Sequence, residues 1–318
     1  MELFFQNLMF TVNNIAPIFL MVFLGIVLKR KGMINENFVT VASKVVFSVT
    51  IPALIFMEII DVDLSRAVNF EQIGYIYGGV LFLFALGWLF ALFFISEGRD
   101  RGVFIQGSFR SNFAIVGLAI IANMSGESAL AKSAVILAFI IPFYNVLSVL
   151  ALTLPMQKEK HLNWQSLLLE IIKNPLIIGL LAALPFAYLS IPIPEVFRKT
   201  GNYLAAVTLP LALLGIGGSL NFSSMKNSSR NVFSATFIKL VLSPAAVTPA
   251  GYLLGFRGDD LAILFVLFAS PTAVVSFIMA EAMGGNARLA GDIILYSTLG
   301  SVITISAGIF MMKAAGLF

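Results

Sequence analysis

Cysteine is absent from this sequence of 318 residues, and charged side chains are scarce, at 11% of positions. Without cysteine the chain cannot form a disulfide, a thiolate nucleophile or a sulfur-ligated metal site. A soluble domain has about a quarter charged residues, whereas 59% of this chain is hydrophobic. That leaves too little polar surface to cover the chain in water. The composition therefore predicts an all-α protein embedded in membrane lipid.

Catalytic side chains are also scarce. The single histidine, His161, lies in a polar segment, so no Ser–His pair can form among the apolar helices. No glycine-rich phosphate loop of the Walker type is present. We expect no enzyme, no cofactor and no metal site. The net charge is +4, but the basic residues are spread over many short loops and form no basic patch, so we expect no nucleic-acid partner.

Hydropathy and loop breakers predict ten membrane-spanning helices, since an apolar helix needs about 20 residues to cross the hydrocarbon layer. The predicted spans are 14–28, 39–60, 73–95, 103–124, 134–154, 171–189, 203–220, 232–254, 261–283 and 293–312. The longest polar break, 155–170, divides them five and five. We expect a first transmembrane repeat in 1–154, a cytoplasmic linker in 155–170 and a second repeat in 171–318.

An internal repeat supports this division. Shifting the sequence by 158 residues places Pro17 on Pro175 and Pro52 on Pro210 in one register. A shift of 159 places Ser111, Ala114, Val116, Met124 and Gly126 on Ser270, Ala273, Val275, Met283 and Gly285. Five spans per half make the second copy enter the membrane from the opposite side. Inverted repeats are the architecture of secondary transporters, which alternate between inward-open and outward-open states.

Orientation follows from lysine and arginine in short loops, which stay on the cytoplasmic side. Eleven lie in the odd-numbered loops and six on the opposite side, termini included. This bias places both termini outside. Together with the compact loops, it predicts a bacterial cytoplasmic membrane.

Spans four and nine depart most from plain apolar helices. Their polar or helix-breaking residues are Arg110, Ser111, Asn112 and Gly117 in span four, and Pro271, Thr272 and Ser276 in span nine. Proline removes a backbone donor and glycine loosens a helix, so both spans are predicted to break. A broken helix offers free N–H groups and partial positive charge to an anion. Alternatively, Pro271 only kinks its helix, Asn112 bonds a neighbour and Arg110 marks the cytoplasmic boundary.

Ionisable residues inside spans need a reason to be there, because a charge at a helix centre costs about 2.5 to 3.5 kcal/mol on insertion scales. Glu281 lies late in span nine and Asp292 begins span ten, so either is a candidate to couple transport to H⁺ or Na⁺. Lys44, Glu58 and Lys239 lie nearer span ends. We expect those three to extend towards the lipid headgroups.

Several motifs resemble the auxin efflux carrier family of membrane transport proteins, over nearly the whole chain. They are Phe109-Arg110-Ser111-Asn112 with Gly117-Leu118, Lys173-Asn174-Pro175-Leu176, Leu209-Pro210-Leu211-Ala212-Leu213 with Gly218-Ser219-Leu220, and Ala269-Ser270-Pro271-Thr272-Ala273. The resemblance implies two inverted five-helix repeats, unwound crossing segments in spans four and nine, and a homodimer. It also implies organic-anion substrates and substrate contact at Asn112, with Pro271 and Thr272 nearby. The sequence departs from the family pattern at Ala119 and Ser276, where prolines are common.

These features predict a permease that carries small organic anions, such as carboxylates, by alternating access. The alternative is an ion or solute channel, since membrane helices alone do not distinguish the two. A carrier saturates and exchanges labelled substrate across a vesicle membrane, whereas unsaturable current without organic solute indicates a channel.

Overall fold

The computed structural model describes residues 2–60, 69–156, 175–189, 191–220 and 230–317, and within these ranges the chain is helical and has no β-strand. The α-helices are α1 (Glu2–Arg30), α2 (Glu36–Val45), α3 (Ile51–Ile59), α4 (Phe70–Phe94), α5 (Gly98–Phe109), α6 (Leu118–Thr153), α7 (Pro175–Leu189), α8 (Glu195–Ser219), α9 (Arg230–Phe237), α10 (Ser243–Leu253), α11 (Gly258–Ala269), α12 (Val275–Ala282) and α13 (Ala287–Ala314). Short π-helical turns lie at Val46–Thr50, Phe113–Gly117 and Ile238–Leu242. The predicted all-α fold is confirmed over these ranges. Most of the predicted linker, 157–170, lies outside the described residues.

Six helical segments of the described chain are long and apolar enough to cross a membrane. They are Glu36–Met57, Phe70–Phe94, Phe113–Met156, Glu195–Ser219, Arg230–Leu253 and Ala287–Ala314. Gly126, with φ 76° and ψ −169°, interrupts the third of them. This left-handed φ suits glycine, and it separates two helices where spans 103–124 and 134–154 were predicted. The architecture is that of a multi-pass membrane protein, and the count of ten spans stays a prediction.

The helices pack in two groups. In the first group, α1 and α3 pack against α8, and α7 packs against α3. In the second group, α5 packs on both α4 and α6, α10 on α11, and α13 on both α9 and α12. The groups meet mainly where α1 contacts α13 and where α3 contacts α6. The interrupted segments around α5 and α11 belong to the second group.

Matching elements recur in the two halves of the chain. Helices α5 and α11 both have 12 residues, and Gly258 opens α11 160 positions after Gly98 opens α5. The same offset separates Phe70, the first residue of α4, from Arg230, the first residue of α9. Two copies of one unit would produce these offsets. The inverted repeat itself stays a prediction.

Two aspartates in the first turns of α5 and α11 join the halves. Asp260 Oδ1 accepts a hydrogen bond from Lys132 Nζ at 3.0 Å, and we call this ion pair the ionic clamp. Asp100 Oδ1 accepts one from Asn286 Nδ2 at 2.7 Å, which we call the amide clamp. The two aspartates are themselves 160 positions apart. Each clamp therefore ties an aspartate of one half to a residue of the other half.

Candidate functional site

Helices α5 and α11 both end in backbone that is not helical. Arg110 follows α5 with φ −73° and ψ 115°, and Ser270 follows α11 with φ −59° and ψ 143°. Pro271 explains the second break, because proline lacks an N–H and biases the residue before it away from helical ψ. Helical structure resumes at Phe113 and at Val275. We call residues 110–112 and 270–274 the crossover.

The two crossover segments pair through their backbones. Ser111 and Thr272 form an isolated antiparallel bridge. The Asn112 N–H donates to the Pro271 carbonyl at 2.7 Å, and the Ala273 N–H donates to the Arg110 carbonyl at 3.3 Å. Backbone groups left free by the two breaks thus find partners in each other. The bridge also means that the two segments run in opposite directions.

Hydroxyl groups cap the free carbonyls at both helix ends. Ser111 Oγ donates to the Leu267 carbonyl at 2.6 Å, and Thr272 Oγ1 donates to the Gly107 carbonyl at 2.8 Å. In an unbroken helix Leu267 would accept from the residue four positions on, but that residue is Pro271, which has no N–H. The caps are reciprocal, since each half supplies the hydroxyl that completes the helix end of the other.

Arg110 brings a positive charge to the crossover, and its side chain is only 5% exposed. Its guanidinium donates to Ser148 Oγ and to Asn145 Oδ1, both at 2.8 Å, and lies 3.1 Å from Met279 Sδ. No carboxylate among the described residues forms an ion pair with it. A buried charge without a counter-ion is costly. The arrangement can therefore attract an anion.

Two buried polar groups around the crossover have no hydrogen-bond partner in the described chain: Asn112 Nδ2 and Ser276 Oγ. The two residues are 4% and 2% exposed. Tyr144 is also buried, and its ring centroid lies 5.9 Å from that of Phe109. Ser276 lies one helical turn before Met279. A buried polar group without a partner costs about 1–3 kcal/mol, so this cluster fits a polar ligand.

A family model described as "Membrane transport protein" matches residues 10–166 and 157–309, which is nearly the whole chain. The chain belongs to this family. The auxin efflux carriers are members of it, so the resemblance read from the motifs is confirmed. The crossover is therefore a feature of a protein that belongs to a transporter family.

Relatives that match this chain over almost their whole length are also described as transporters. An "Uncharacterized transporter" of Methanothermobacter thermautotrophicus is 22% identical over 303 residues, covering 92% of this chain and 95% of the relative. YfdV of Escherichia coli, also an "Uncharacterized transporter", is 22% identical over 96% of this chain and 99% of its own. A "Putative malonate transporter" of Rhizobium meliloti is 24% identical over 95% of this chain and 96% of its own.

Most of the predicted site residues of this transporter lie together. Arg110, Ser111, Asn112, Pro271 and Thr272 all belong to the paired crossover segments. Gly117 ends the π-helical turn that follows, and a Cβ there would lie 2.1 Å from the Phe113 ring. Ser276 is buried in the first turn of α12. The breaks precede Gly117 and Ser276, and their roles in substrate binding stay predictions.

Of the two predicted ion-coupling residues, Asp292 has a described side chain. Asp292 is 5% exposed in the second turn of α13, and no described lysine or arginine forms an ion pair with it. Glu281 falls within α12, but its side chain is outside the described residues. The prediction that Lys239 extends towards the headgroups is wrong. Its side chain is fully buried, and its ammonium donates to the Phe268 carbonyl at 2.8 Å.

Sequence analysis missed the partners of Arg110. These partners lie in an apolar helix, at Tyr144, Asn145 and Ser148. Their position along the chain does not indicate that they contact span four. One signal was present in the sequence. Asn145 and Ser148 are polar and three residues apart, so they share one face of the helix, and polar residues inside a span usually face protein.

Proposed function

We propose that this protein is a secondary transporter for small organic anions, above all carboxylates, and that it works by alternating access. The observation that carries the proposal is the buried guanidinium of Arg110, which has no carboxylate partner in the described chain. It lies two residues from Asn112, whose buried amide nitrogen has no described partner. A carboxylate bound between them would satisfy both groups.

The energetics favour an anion at this place. Bonds from a guanidinium to a carboxylate are short and about twice as strong as neutral ones. Helical structure also begins at Phe113 and at Val275 on either side of the paired segments. Helix N-termini carry partial positive charge and free N–H groups. The site would therefore attract an anion through the charge of Arg110, the amide of Asn112 and the two helix N-termini. Ser276 and Tyr144 would add hydroxyl groups.

Alternating access rests on the proposed inverted repeat. The matched 12-residue helices α5 and α11 support two copies of one unit, and the antiparallel bridge between Ser111 and Thr272 supports opposite directions. Two similar units of opposite orientation can exchange conformations about a central site. The substrate class draws further support from the Rhizobium meliloti relative, whose name refers to malonate.

We propose Asp292 as the residue that couples transport to H⁺ or Na⁺. Its burial without an ion pair to any described lysine or arginine supports this role. The variant Asp292→Asn should then move substrate without responding to an imposed H⁺ or Na⁺ gradient. Uptake by the variant that still follows the gradient would exclude Asp292, and Glu281 would be the next residue to test.

The proposed setting is a bacterial cytoplasmic membrane, with both termini outside. Eleven loop lysines and arginines on one predicted side against six on the other support it. Reporter fusions at each terminus test this topology. Activity from a fused reporter that functions only in the cytoplasm would contradict it. The homodimer implied by family resemblance is tested by the mass of the purified protein in detergent.

Transport is tested in proteoliposomes with labelled malonate and a panel of mono- and dicarboxylates. A carrier gives saturable uptake and counterflow, in which unlabelled substrate inside the vesicle drives labelled substrate in. Asn112→Ala should abolish both, while Asn202→Ala, which changes an exposed asparagine of α8, should leave them intact. Unsaturable flux without counterflow would favour the channel, and undiminished transport by Asn112→Ala would remove that residue from the site.

A further inference from the structure

Lys239 is a second buried cation, and nothing in the proposed anion site uses it. It lies in the π-helical turn Ile238–Leu242, and its side chain is fully buried. Its ammonium donates to the Phe268 carbonyl at 2.8 Å, and Ser243 Oγ donates to the same oxygen at 3.0 Å. Two donors therefore converge on one backbone carbonyl.

The break after α11 explains why this carbonyl needs partners. In an unbroken helix Phe268 would accept a bond from the N–H of Thr272, four residues on. The Thr272 N–H instead donates to Ser297 Oγ at 3.1 Å. Phe268 is also the next-to-last residue of α11, where the helix dipole is negative. Lys239 thus lies where the interrupted helix presents negative charge.

No described carboxylate forms an ion pair with Lys239. Its positive charge is balanced by the negative end of the α11 dipole, through the Phe268 carbonyl. Carbonyl and hydroxyl oxygens are also the ligands that hard metal cations prefer. The Phe268 carbonyl and the Ser243 hydroxyl would supply two of the oxygen ligands of a monovalent cation if the ammonium were not there.

The first half of the chain has no equivalent cation. At an offset of 160 positions, Lys239 and Ser243 correspond to Gly79 and Leu83 in α4. A Cβ on Gly79 would lie 2.7 Å from the Phe268 ring, so that position is packed against the side chain of Phe268 itself. A cation in one half alone indicates a specific role at the end of α11 rather than a general feature of the repeat.

We infer that the Lys239 ammonium is a resident cation of the crossover. It occupies the place at the end of α11 that an exchangeable sodium ion would otherwise fill, so the broken helix is held in position without bound Na⁺. This inference adds to the proposed function, because a transporter with such a lysine needs no sodium ion here to bind its substrate. Lys239 is a positioning residue in this account, and it does not touch the substrate.

The test is the thermal stability of the purified full-length protein in NaCl, KCl or choline chloride at equal ionic strength. The wild-type protein should have the same Tm in all three salts. Lys239→Ala should lower the Tm in choline chloride by about 5 °C or more, since an interaction of a buried charge is lost. Na⁺ or methylammonium should restore part of that loss. Lys44→Ala, at an exposed lysine of α2, is the matched control and should not respond.

Two milder variants decide the matter if Lys239→Ala does not fold. Lys239→Arg keeps the charge and should stay close to the wild type, whereas Lys239→Gln keeps a donor without charge and should lose stability. A wild-type Tm raised by Na⁺ alone, or a Lys239→Gln protein as stable as the wild type, would overturn the inference. These measurements need no substrate, so they remain decisive even if malonate uptake fails and the proposed function with it.

Discussion

Each half of the chain brings one buried cation to the region of the crossover, at positions that do not correspond, and the two cations have different partners. Arg110 in the first half bonds to side chains, Ser148 and Asn145, which lie on another helix and can reorient. Lys239 in the second half bonds to a backbone carbonyl that the broken helix has left free. A cation held by side chains can exchange them for a ligand, whereas one that caps a helix end cannot leave without exposing it. We therefore assign substrate charge recognition to Arg110 and helix positioning to Lys239.

Removing the charge of Arg110 should have the largest effect on binding. Arg110→Gln should weaken malonate affinity by at least about 30-fold, because truncating one partner of a buried hydrogen-bonded charge pair costs 2–5 kcal/mol or more. Isothermal titration calorimetry on the purified protein measures this loss. Arg288→Gln, at an exposed arginine, is the control. If Arg110→Gln and the wild type bound malonate with equal affinity, the assignment of substrate charge recognition to Arg110 would be wrong.

Gly117 and Ser276 occupy corresponding positions at an offset of 159, and exchanging them probes how alike the halves are. Gly117→Ser should destabilise the protein by about 1–3 kcal/mol, because the added atoms overpack against the Phe113 ring. Ser276→Gly should cost about 0.5 kcal/mol through helix propensity and should weaken malonate binding through loss of the hydroxyl. Denaturant unfolding compares both with the wild type. Full stability of Gly117→Ser would contradict the close packing at this turn.

The reciprocal caps should contribute equally if the two helix ends are equivalent. Ser111→Ala and Thr272→Val each leave a buried carbonyl without its hydroxyl donor, at Leu267 and Gly107 respectively. Each should cost about 1–3 kcal/mol of unfolding free energy. Thr200→Val, which removes an exposed hydroxyl on α8, serves as the control. A large loss from only one of the two cap variants would show that one half alone holds the crossover together.

The smallest effects are expected at the clamps. Lys132→Met removes the ionic clamp and should cost at most about 1 kcal/mol, a loss that salt should diminish by screening. Asn286→Ala removes the amide clamp and the N-cap of α13, and should cost about 1 kcal/mol at any salt concentration. Thermal unfolding across a salt series separates the two. A salt-dependent loss in Asn286→Ala would contradict the assignment.

Features fixed by local chemistry could be predicted from the sequence. Hydropathy predicted the six described segments that are long and apolar enough to cross a membrane, and Pro271 predicted the break after α11. Each of these depends on whether nearby backbone groups can bond within a helix. The glycine at position 126 was aligned as part of the repeat, and it proved to be the turn between two helices.

Features that depend on packing between distant helices could not be predicted. Lys239 was misplaced because a position along a span does not reveal which face of the helix it occupies or which neighbour covers it. The side chain lies against α11, 29 residues away in sequence. Arg110 was recognised as a candidate, but its partners on α6 are 35 and 38 residues away. Only the packed structure brings those groups together.

The most direct measurement of the central proposal is the position of a bound anion. A crystal structure of the protein with a brominated malonate would locate the bromine by its anomalous scattering. A peak at the crossover, with the carboxylate in hydrogen-bond contact with both Arg110 and Asn112, is the predicted result. A peak at any other place, with the Arg110 guanidinium still bonded only to Ser148 and Asn145, would contradict the account.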